Sequence, residues 1–420
     1  MTPVMNAPPS ATIRKVFLGC CDNASLLHDF SVGFRALGYE VMSFVHAQAP
    51  IQGSPVDYSL EQLVPALPAH ATVEMRQHHE AARQAALRAV FELAVRECDL
   101  FLFVWDSFLP DFTDLLTLKR LGKMIVWWFV GCDSRWKSAY DAEVAGHGLP
   151  PLHFGEEVTV RELTERLLRI RMVERCADVV FNTPSQAALL LRPYHDGLQW
   201  PLALDRYPEH HGQRDVPVVM HAPSNLRVKC TREITLALET LRFDEGLNFE
   251  IRLMPRLPHG AALAAYAECD VFVGQGRSLT LGKQDREVLA LNRVLVGGPT
   301  PALYPQRWPD DCPNVAFQTG DDLVVALRPL LSDVQRRHAL AERGRAWVSR
   351  YHDPSRTCAR VLAALDGSIP PDFHPTFYRT SFEPEDEGYR SLHDKTLALV
   401  REMAWYREVV PQGERAGLHF

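Results

Sequence analysis

The chain is 420 residues long, 46 % hydrophobic and 23 % charged, with a formal net charge of −7. That length and apolar share describe ordinary globular protein of two domains or more. The acidic balance argues against a nucleic-acid binder, which needs a basic face to displace counterions. No apolar run approaches the roughly 20 residues that span a bilayer.

The opening stretch MTPVMNAPPSAT lacks the charged start, apolar core and cleavage site of a signal peptide and reads as a short disordered lead-in. Nine cysteines are scattered without a CxxC pair, which points to free thiols in a reducing cytoplasm rather than to a disulfide framework or a zinc site.

Strand and helix then alternate. RKVFLGC has the short apolar run of a buried strand, ASLLHDFSVGFRALGY has helical spacing, and EVMSFVH returns to strand. Residues 50–70, diluted with Pro, Ser, Gln and Gly, read as a long surface loop. The pattern recurs in the helix ending AVREC before strand DLFLFVW, helix DFTDLLTLKRLG before MIVWWFVG, and helix VRELTERLLRIRMVERC before DVVFNT. Such repeats imply right-handed crossovers and a parallel sheet. Residues 193–217, rich in Pro, His and charge, read as a linker. Alternation restarts at VPVVMHA and runs through FEIRLM, DVFVGQ, RVLVGG and NVAFQ to the helices DDLVVALRPLL and DVQRRHALAERGRAWVSRY. The expectation is an α/β chain of two tandem doubly wound, Rossmann-like domains facing across a cleft. The first spans residues 1–200 and the second 201–370. An extension over 371–420 ends in a helix that packs back on the first domain.

In open parallel sheets ligands collect at the carboxyl ends of the strands, so the turns there carry the candidates. In VVMHAPSNLRVKC, Ser224, Arg227 and Lys229 lie between an apolar run and a helical one. Two cations beside a helix start make an anion site suited to a phosphate or diphosphate, or else a solvated basic turn. In CDVFVGQGRSLTLGKQDREVLALNRVLVGGP, Gly274, Gly276 and Gly282 permit close backbone approach to a ligand, and Lys283 adds a cation at a helix start. Glu287 follows within that helix, placed either to accept from ribose hydroxyls or merely to complement the helix dipole. In the first unit Asp133 and Arg135 sit at the rim after MIVWWFVG. Asp133 serves there either as a base or donor-orienting group or as an Asx-turn residue bonded to its own backbone. Asp106 is a weaker candidate of the same placement. His28 reads as a hydrogen-bonded helix residue, and the Arg-rich helix 161–175 as a face laced with ion pairs or a contact to anionic lipid.

Residues 216–366 resemble the C-terminal domain of GT-B-fold nucleotide-sugar glycosyltransferases of the group-1 (family 4) type. The likeness is carried by HAPSNLRVKCTREI, by CDVFVGQ…LGKQDREVLALNRVLVGGP and by YHDPSRTCARVLAAL, and FVGCDSRW resembles a turn of polysaccharide-assembly members. The resemblance implies that Arg227 and Lys229 neutralise a donor diphosphate and that Glu287 holds the ribose. Backbone near Gly282 and Lys283 would touch the distal phosphate or sugar, and the turn from Gly19 to Asn23 would close over the phosphates. The base would be read by backbone near Met254–Leu257. It implies retaining, metal-independent transfer of a sugar from a nucleoside diphosphate to a glycan, lipid-linked or protein acceptor in polysaccharide or glycoconjugate assembly. No cofactor, no nucleic acid and at most peripheral membrane contact belong to that picture. Two departures stand out: Leu279 replaces the usual first glutamate, and Cys230 replaces the glycine after the lysine. A nucleotide-sugar 2-epimerase of the same fold and a non-catalytic GT-B module are the alternatives.

Overall fold

The computed structural model describes residues 13–48, 54–146, 160–255, 257–276, 278–299 and 311–373. Its first sheet contains β1 (Lys15–Cys20), β2 (Glu40–Val45), β3 (Tyr58–Ser59), β4 (Leu100–Val104), β5 (Met124–Trp128), β6 (Val179–Asn182) and β7 (His195–Asp196), in the spatial order β3-β2-β1-β4-β5-β6-β7. Every neighbouring pair is parallel. The second sheet contains β8 (Val218–His221), β9 (Glu250–Leu253), β10 (Val271–Val273) and β11 (Val294–Val296), ordered β11-β10-β8-β9 and again parallel. The doubly wound α/β expectation holds in both units. NVAFQ contributes a single parallel bridge, Val315 to Val296, rather than a strand.

Helices cover both faces because the strands are apolar on both sides, as parallel strands must be. In the first unit these are α1 (Leu26–Ala36), α2 (Leu60–Leu63), α3 (Val73–Glu97), α4 (Thr113–Arg120), α5 (Lys137–Gly146) and α6 (Val160–Cys176). In the second they are α7 (Thr231–Glu239), α8 (His259–Ala267), α9 (Lys283–Ala290), α10 (Gly320–Ser332) and α11 (Val334–Tyr351), followed by α12 (Pro354–Leu365). One face of the first sheet is filled by aromatic rings: Phe17, Phe101, Phe103, Phe108 and Trp127 form one buried cluster. All nine cysteines are free.

The two units are joined more tightly than a linker reading of 193–217 implies. His195–Asp196 forms the edge strand β7, Leu198, Leu202 and Tyr207 are buried in the second core, and Trp200 packs against the first. The segment lacks periodicity because it serves two cores in turn, so no single face repeats.

The segment that braces the first domain is α12. Cys358, Val361 and Leu362 join the core cluster that holds Leu27, Phe30 and Phe34 of α1. It starts at Pro354, with Asp353 accepting from the Arg356 N–H at 2.9 Å as its cap. This contact lies upstream of residue 370, within the span assigned to the second domain, and the expected helix beyond it falls in residues 374–420, outside the described residues. Gly33 makes the approach of α1 to α12 possible, since a Cβ there would lie 2.6 Å from Cys358 Sγ and closer still to the Pro354 carbonyl. Gly33→Ala should lower stability by about 1–3 kcal/mol through overpacking, read as a lower midpoint in urea denaturation.

Candidate active site

A cavity of about 370 Å³ opens between the two domains at the carboxyl ends of their strands, walled by residues from both and from the linking segment. Four of its lining residues are cations, Arg135 and Lys137 from the first domain and Lys229 and Arg286 from the second. No carboxylate is among the described lining residues. Such a lining favours an anionic occupant.

Lys229 reaches it through the turn after β8. Asn225 Oδ1 accepts from the N–H groups of Arg227 at 3.1 Å and Val228 at 3.3 Å, so the turn curls on an Asx motif. Cys230 then adopts a left-handed φ of 53° directly before α7. That kink presents Lys229, half-buried, to the cavity, and no hydrogen bond or ion pair holds its side chain among the described residues. Arg227 and Ser224 stand exposed on the same turn and do not line the wall. His221 anchors the strand end: Nδ1 lies 2.8 Å from the Val273 carbonyl and Nε2 2.9 Å from the Thr231 hydroxyl. Burial pushes this imidazole down to about 4. The neutral ring therefore donates from Nδ1, since a carbonyl can only accept, and takes the Thr231 proton at Nε2.

The turn into α9 departs from the sequence reading. Gly282 lines the cavity, but its N–H donates to Asp285 Oδ2 at 2.7 Å. Gly274 and Gly276 are glycines for packing rather than for ligand approach. A Cβ on Gly274 would lie 2.6 Å from Asp285 Oδ1, and one on Gly276 would meet the Phe317 ring. Lys283 points away from the cavity into a buried ion pair with Asp29 of α1, and its Nζ also lies 3.4 Å from the Pro201 carbonyl. Asp29 Oδ1 accepts the Ala203 N–H at 3.0 Å. Glu287 is 2 % exposed, and its Oε1 accepts from the Tyr207 hydroxyl at 3.2 Å and from His259 Nε2 at 2.8 Å. The solvated helix-dipole role is thereby set aside, and what the carboxylate holds in this structure is protein.

Sequence reasoning missed Arg286. Its guanidinium is buried, donates to the Leu281 carbonyl at 2.5 Å and the Leu198 carbonyl at 2.8 Å, and lies 5.1 Å over the Trp200 ring. Burial lowers it to about 10, with Asp285 opposing the shift, so it stays a cation at neutral pH. The available signal was the run of four charges in KQDREVLA, which is unusual beside a glycine loop and two apolar strands.

In the first domain Arg135 lines the cavity, stacked 5.1 Å from the Tyr140 ring centroid. Asp133 is not among the residues that line it. It is fully buried, with Oδ1 accepting from the Gly131 N–H at 2.7 Å and Oδ2 from the Val130 N–H at 3.1 Å. The carboxylate binds its own loop's backbone, through N–H groups two and three residues before it rather than the forward bond of an Asx-turn, and so satisfies donors of the loop after β5. Gly19 is likewise no phosphate loop: it lies in β1, paired with Phe103, where a Cβ would meet the Phe17 ring at 2.8 Å. Asn23 occupies the following turn outside the cavity wall, its Nδ2 buried without a partner among the described residues. Leu279 is fully buried and gives its N–H to the Tyr140 hydroxyl at 3.3 Å, so it joins the domains instead of facing the cavity. Asp106 is paired with Arg169 at 3.0 Å. Met254 donates its N–H to the His221 carbonyl at 3.0 Å and packs on the second core with Leu257. No described helix is long and apolar enough to cross a membrane.

No family model matches the chain, and no curated protein does. Solved structures do. A sucrose-phosphate synthase from Thermosynechococcus elongatus superposes with a TM-score of 0.51 at 12 % identity, covering 85 % of this chain and 100 % of that one. An alpha-glucosyltransferase in complex with UDP-glucose and DNA containing an abasic site gives 0.51 at 12 % identity, over 84 % and 99 %. The OtsA apo structure gives 0.50 at 10 %, over 85 % and 100 %. The chain has the GT-B fold. The interdomain cavity is thus the cleft of a GT-B pair, closed here by the Tyr140–Leu279 and Asp29–Lys283 contacts.

Two predictions follow from these buried carboxylates. Removing one partner of a buried ion pair strands the other charge, so Asp29→Asn or Lys283→Met should each lower stability by about 3–5 kcal/mol. The double replacement Asp29→Leu with Lys283→Met should recover most of that loss in denaturant titrations. Burial pushes the Asp133 carboxyl up to about 6 from 3.8. The native state then binds more protons than the unfolded chain between those values, so this group's contribution to stability falls as pH rises through that window. In Asp133→Asn the slope of Tm against pH from about 4 to 6 should be more positive than in the wild type, because a term that falls with rising pH has been removed.

Proposed function

We propose that this chain is a glycosyltransferase that takes a sugar from a nucleoside diphosphate donor to an acceptor hydroxyl. One observation carries the reading: the GT-B cleft converges four cations on one cavity with no carboxylate among its described lining residues. A diphosphate is the donor's anionic part, and it gains charge as the sugar departs. Cations fixed in place before that moment stabilise the leaving group more than the bound donor, which is what accelerates the step. The fold relatives named above include one in complex with UDP-glucose.

In this reading Lys229 meets the diphosphate directly, because no hydrogen bond or ion pair holds its ammonium among the described residues. Arg135 closes the opposite wall. Arg286 contributes charge while its hydrogen bonds hold the linking segment, and Arg227 adds a longer-range field from the exposed side of the turn. Four side-chain cations supply the charge that a divalent ion would otherwise bring, so transfer is metal-independent. Leaving-group stabilisation with front-face attack needs no dedicated base, which supports retention and agrees with Asp133 being committed to its own loop. Glu287 is positioned to hold the ribose once the donor competes for Tyr207 and His259. A 2-epimerase would need acid–base carboxylates at the sugar, whereas Asp133 and Asp285 are turned to backbone N–H groups. The acceptor belongs to polysaccharide or glycoconjugate assembly, and the site of action is the cytoplasm.

The test is a thermal-shift screen against UDP, GDP, dTDP, ADP and CMP, with Mg²⁺ or with a chelator. A ligand at one hundred times its Kd adds about 2.7 kcal/mol of stability. One diphosphate should stabilise the protein equally in both conditions. Lys229→Ala should weaken it by about 1.5–3 kcal/mol, the usual contribution of a charged hydrogen bond. Arg227→Ala should cost less, because its side chain is exposed. Turnover to free nucleoside diphosphate separates an enzyme from a binding module, and the absence of any diphosphate shift would remove the donor reading.

A further inference from the structure

A second concavity of about 1000 Å³ lies wholly within the first domain, between α3, the turn after β4 and α6. Its inner wall is apolar and aromatic. Phe91 and Phe108 meet edge to face at 5.0 Å, Phe108 stacks on Phe44, and Phe112 and Leu168 continue the surface. The helix over it is oddly uncovered: α3 has 25 residues, yet only Val90 and Ala94 of it are buried, and Leu87 and Phe91 stay half-buried over this space. A helix with that much apolar surface facing a void is incomplete without an occupant.

The rim decides what kind of occupant fits. Arg83, Arg88 and Arg169 line it together with Glu80, Asp106 and Glu165, so the formal charges cancel. Arg169 is satisfied by Asp106 at 3.0 Å and lies over the Phe112 ring. Arg83 and Arg88 make no hydrogen bond or ion pair among the described residues, and Glu80 accepts only from Gln84 Nε2, at 3.3 Å. An anion would meet Glu80 and a cation would meet the arginines. A hydroxyl both donates and accepts, and so matches both signs without a net penalty.

The pocket also adjoins the donor cavity. Arg166 of α6 donates to the Arg135 carbonyl, and Arg135 lines that cavity. Arg169, one turn further along α6, lines the pocket. The loop after β5 and one helix thus form the partition between the two spaces.

We propose that this pocket holds the body of the acceptor, and that the acceptor is an uncharged, hydroxyl-bearing compound with an apolar body. The inference rests on the glycosyltransferase reading for the word acceptor, and its binding chemistry is tested apart from it. Titration calorimetry on the full chain would use octyl β-glucoside below its micelle concentration, with octyl sulfate and octyltrimethylammonium as charged analogues of the same tail. The glucoside should bind about tenfold or more tighter than either charged analogue. Leu87→Glu, which places a charge on the apolar wall, should weaken it by about tenfold. Removing the rim in the double variant Glu80→Ala with Arg83→Ala should reduce the preference over the charged analogues. The thermal shift with the stabilising diphosphate, and the unliganded melting transition, should be unchanged in all variants, which shows that they are folded. No heat with the glucoside, equal affinity for the three amphiphiles, or full affinity in Leu87→Glu overturns the proposal. Glucoside binding as stated without a shift from any diphosphate of the screen leaves the pocket assignment standing and removes the donor reading. A diphosphate shift with the wrong amphiphile ranking does the reverse.

Discussion

Four buried charges on one short helix hold this molecule together. Lys283, Asp285, Arg286 and Glu287 are all buried in the eight residues of α9, and each is tied to a different part of the structure. Lys283 reaches Asp29 in the first domain, Asp285 caps its own turn, Arg286 grips the linking segment at Leu198, and Glu287 takes Tyr207 and His259. Burying any of them unpaired would cost several kcal/mol, so the position of α9 dictates where those partners must sit. The first domain, the linker and the start of α8 are therefore set relative to one another from a single element. Gly274 belongs to the same constraint, since only a residue without Cβ leaves room for Asp285 Oδ1.

Charges in the cleft divide into two populations. Lys283 is neutralised by a carboxylate, and Arg286 is held by carbonyl oxygens. Among the described residues Lys229 has neither kind of partner, and it faces the space between the domains. A protein that neutralises one buried cation with a carboxylate and holds another by carbonyls, yet leaves a third open to a cavity, concentrates its unmet positive potential at one point. That contrast, rather than the number of basic residues, gives the cleft its chemical meaning.

The fold was legible because parallel strands buried on both faces leave unmistakable apolar runs, as in FLFVW and MIVWWFV. The two-residue edge strands β3 and β7 were not legible, since so short a pairing carries no periodicity. The linker was misjudged for a related reason: Leu198, Leu202 and Tyr207 are buried without repeating at any regular spacing. At the site, Lys229 could be read from its turn and Asp133 could not. GCDSR looks the same whether the carboxylate faces a ligand or its own backbone, and only the loop's curvature decides. Arg227 and Lys229 differ by a kink at Cys230, where a residue other than glycine takes a left-handed φ of 53°. Lys283 was read as a ligand cation because its partner, Asp29, is 254 residues away in the chain.

The two cavities are built differently, and that has a physical consequence. The interdomain cavity draws walls from both domains and the linker, so it exists only while the domains hold their relation, which Tyr140 and Asp29 help fix. The aromatic pocket belongs to one domain and its walls come from α3, α6 and the turn after β4, with no residue of α9 among its lining. A substitution in α3 changes what packs on Phe91 and Phe108 without moving a cavity cation. A substitution in α9 disturbs the donor side and the domain relation together. On the proposed assignment of the two cavities, acceptor preference is the freer property of this architecture, and donor binding is the one tied to its stability.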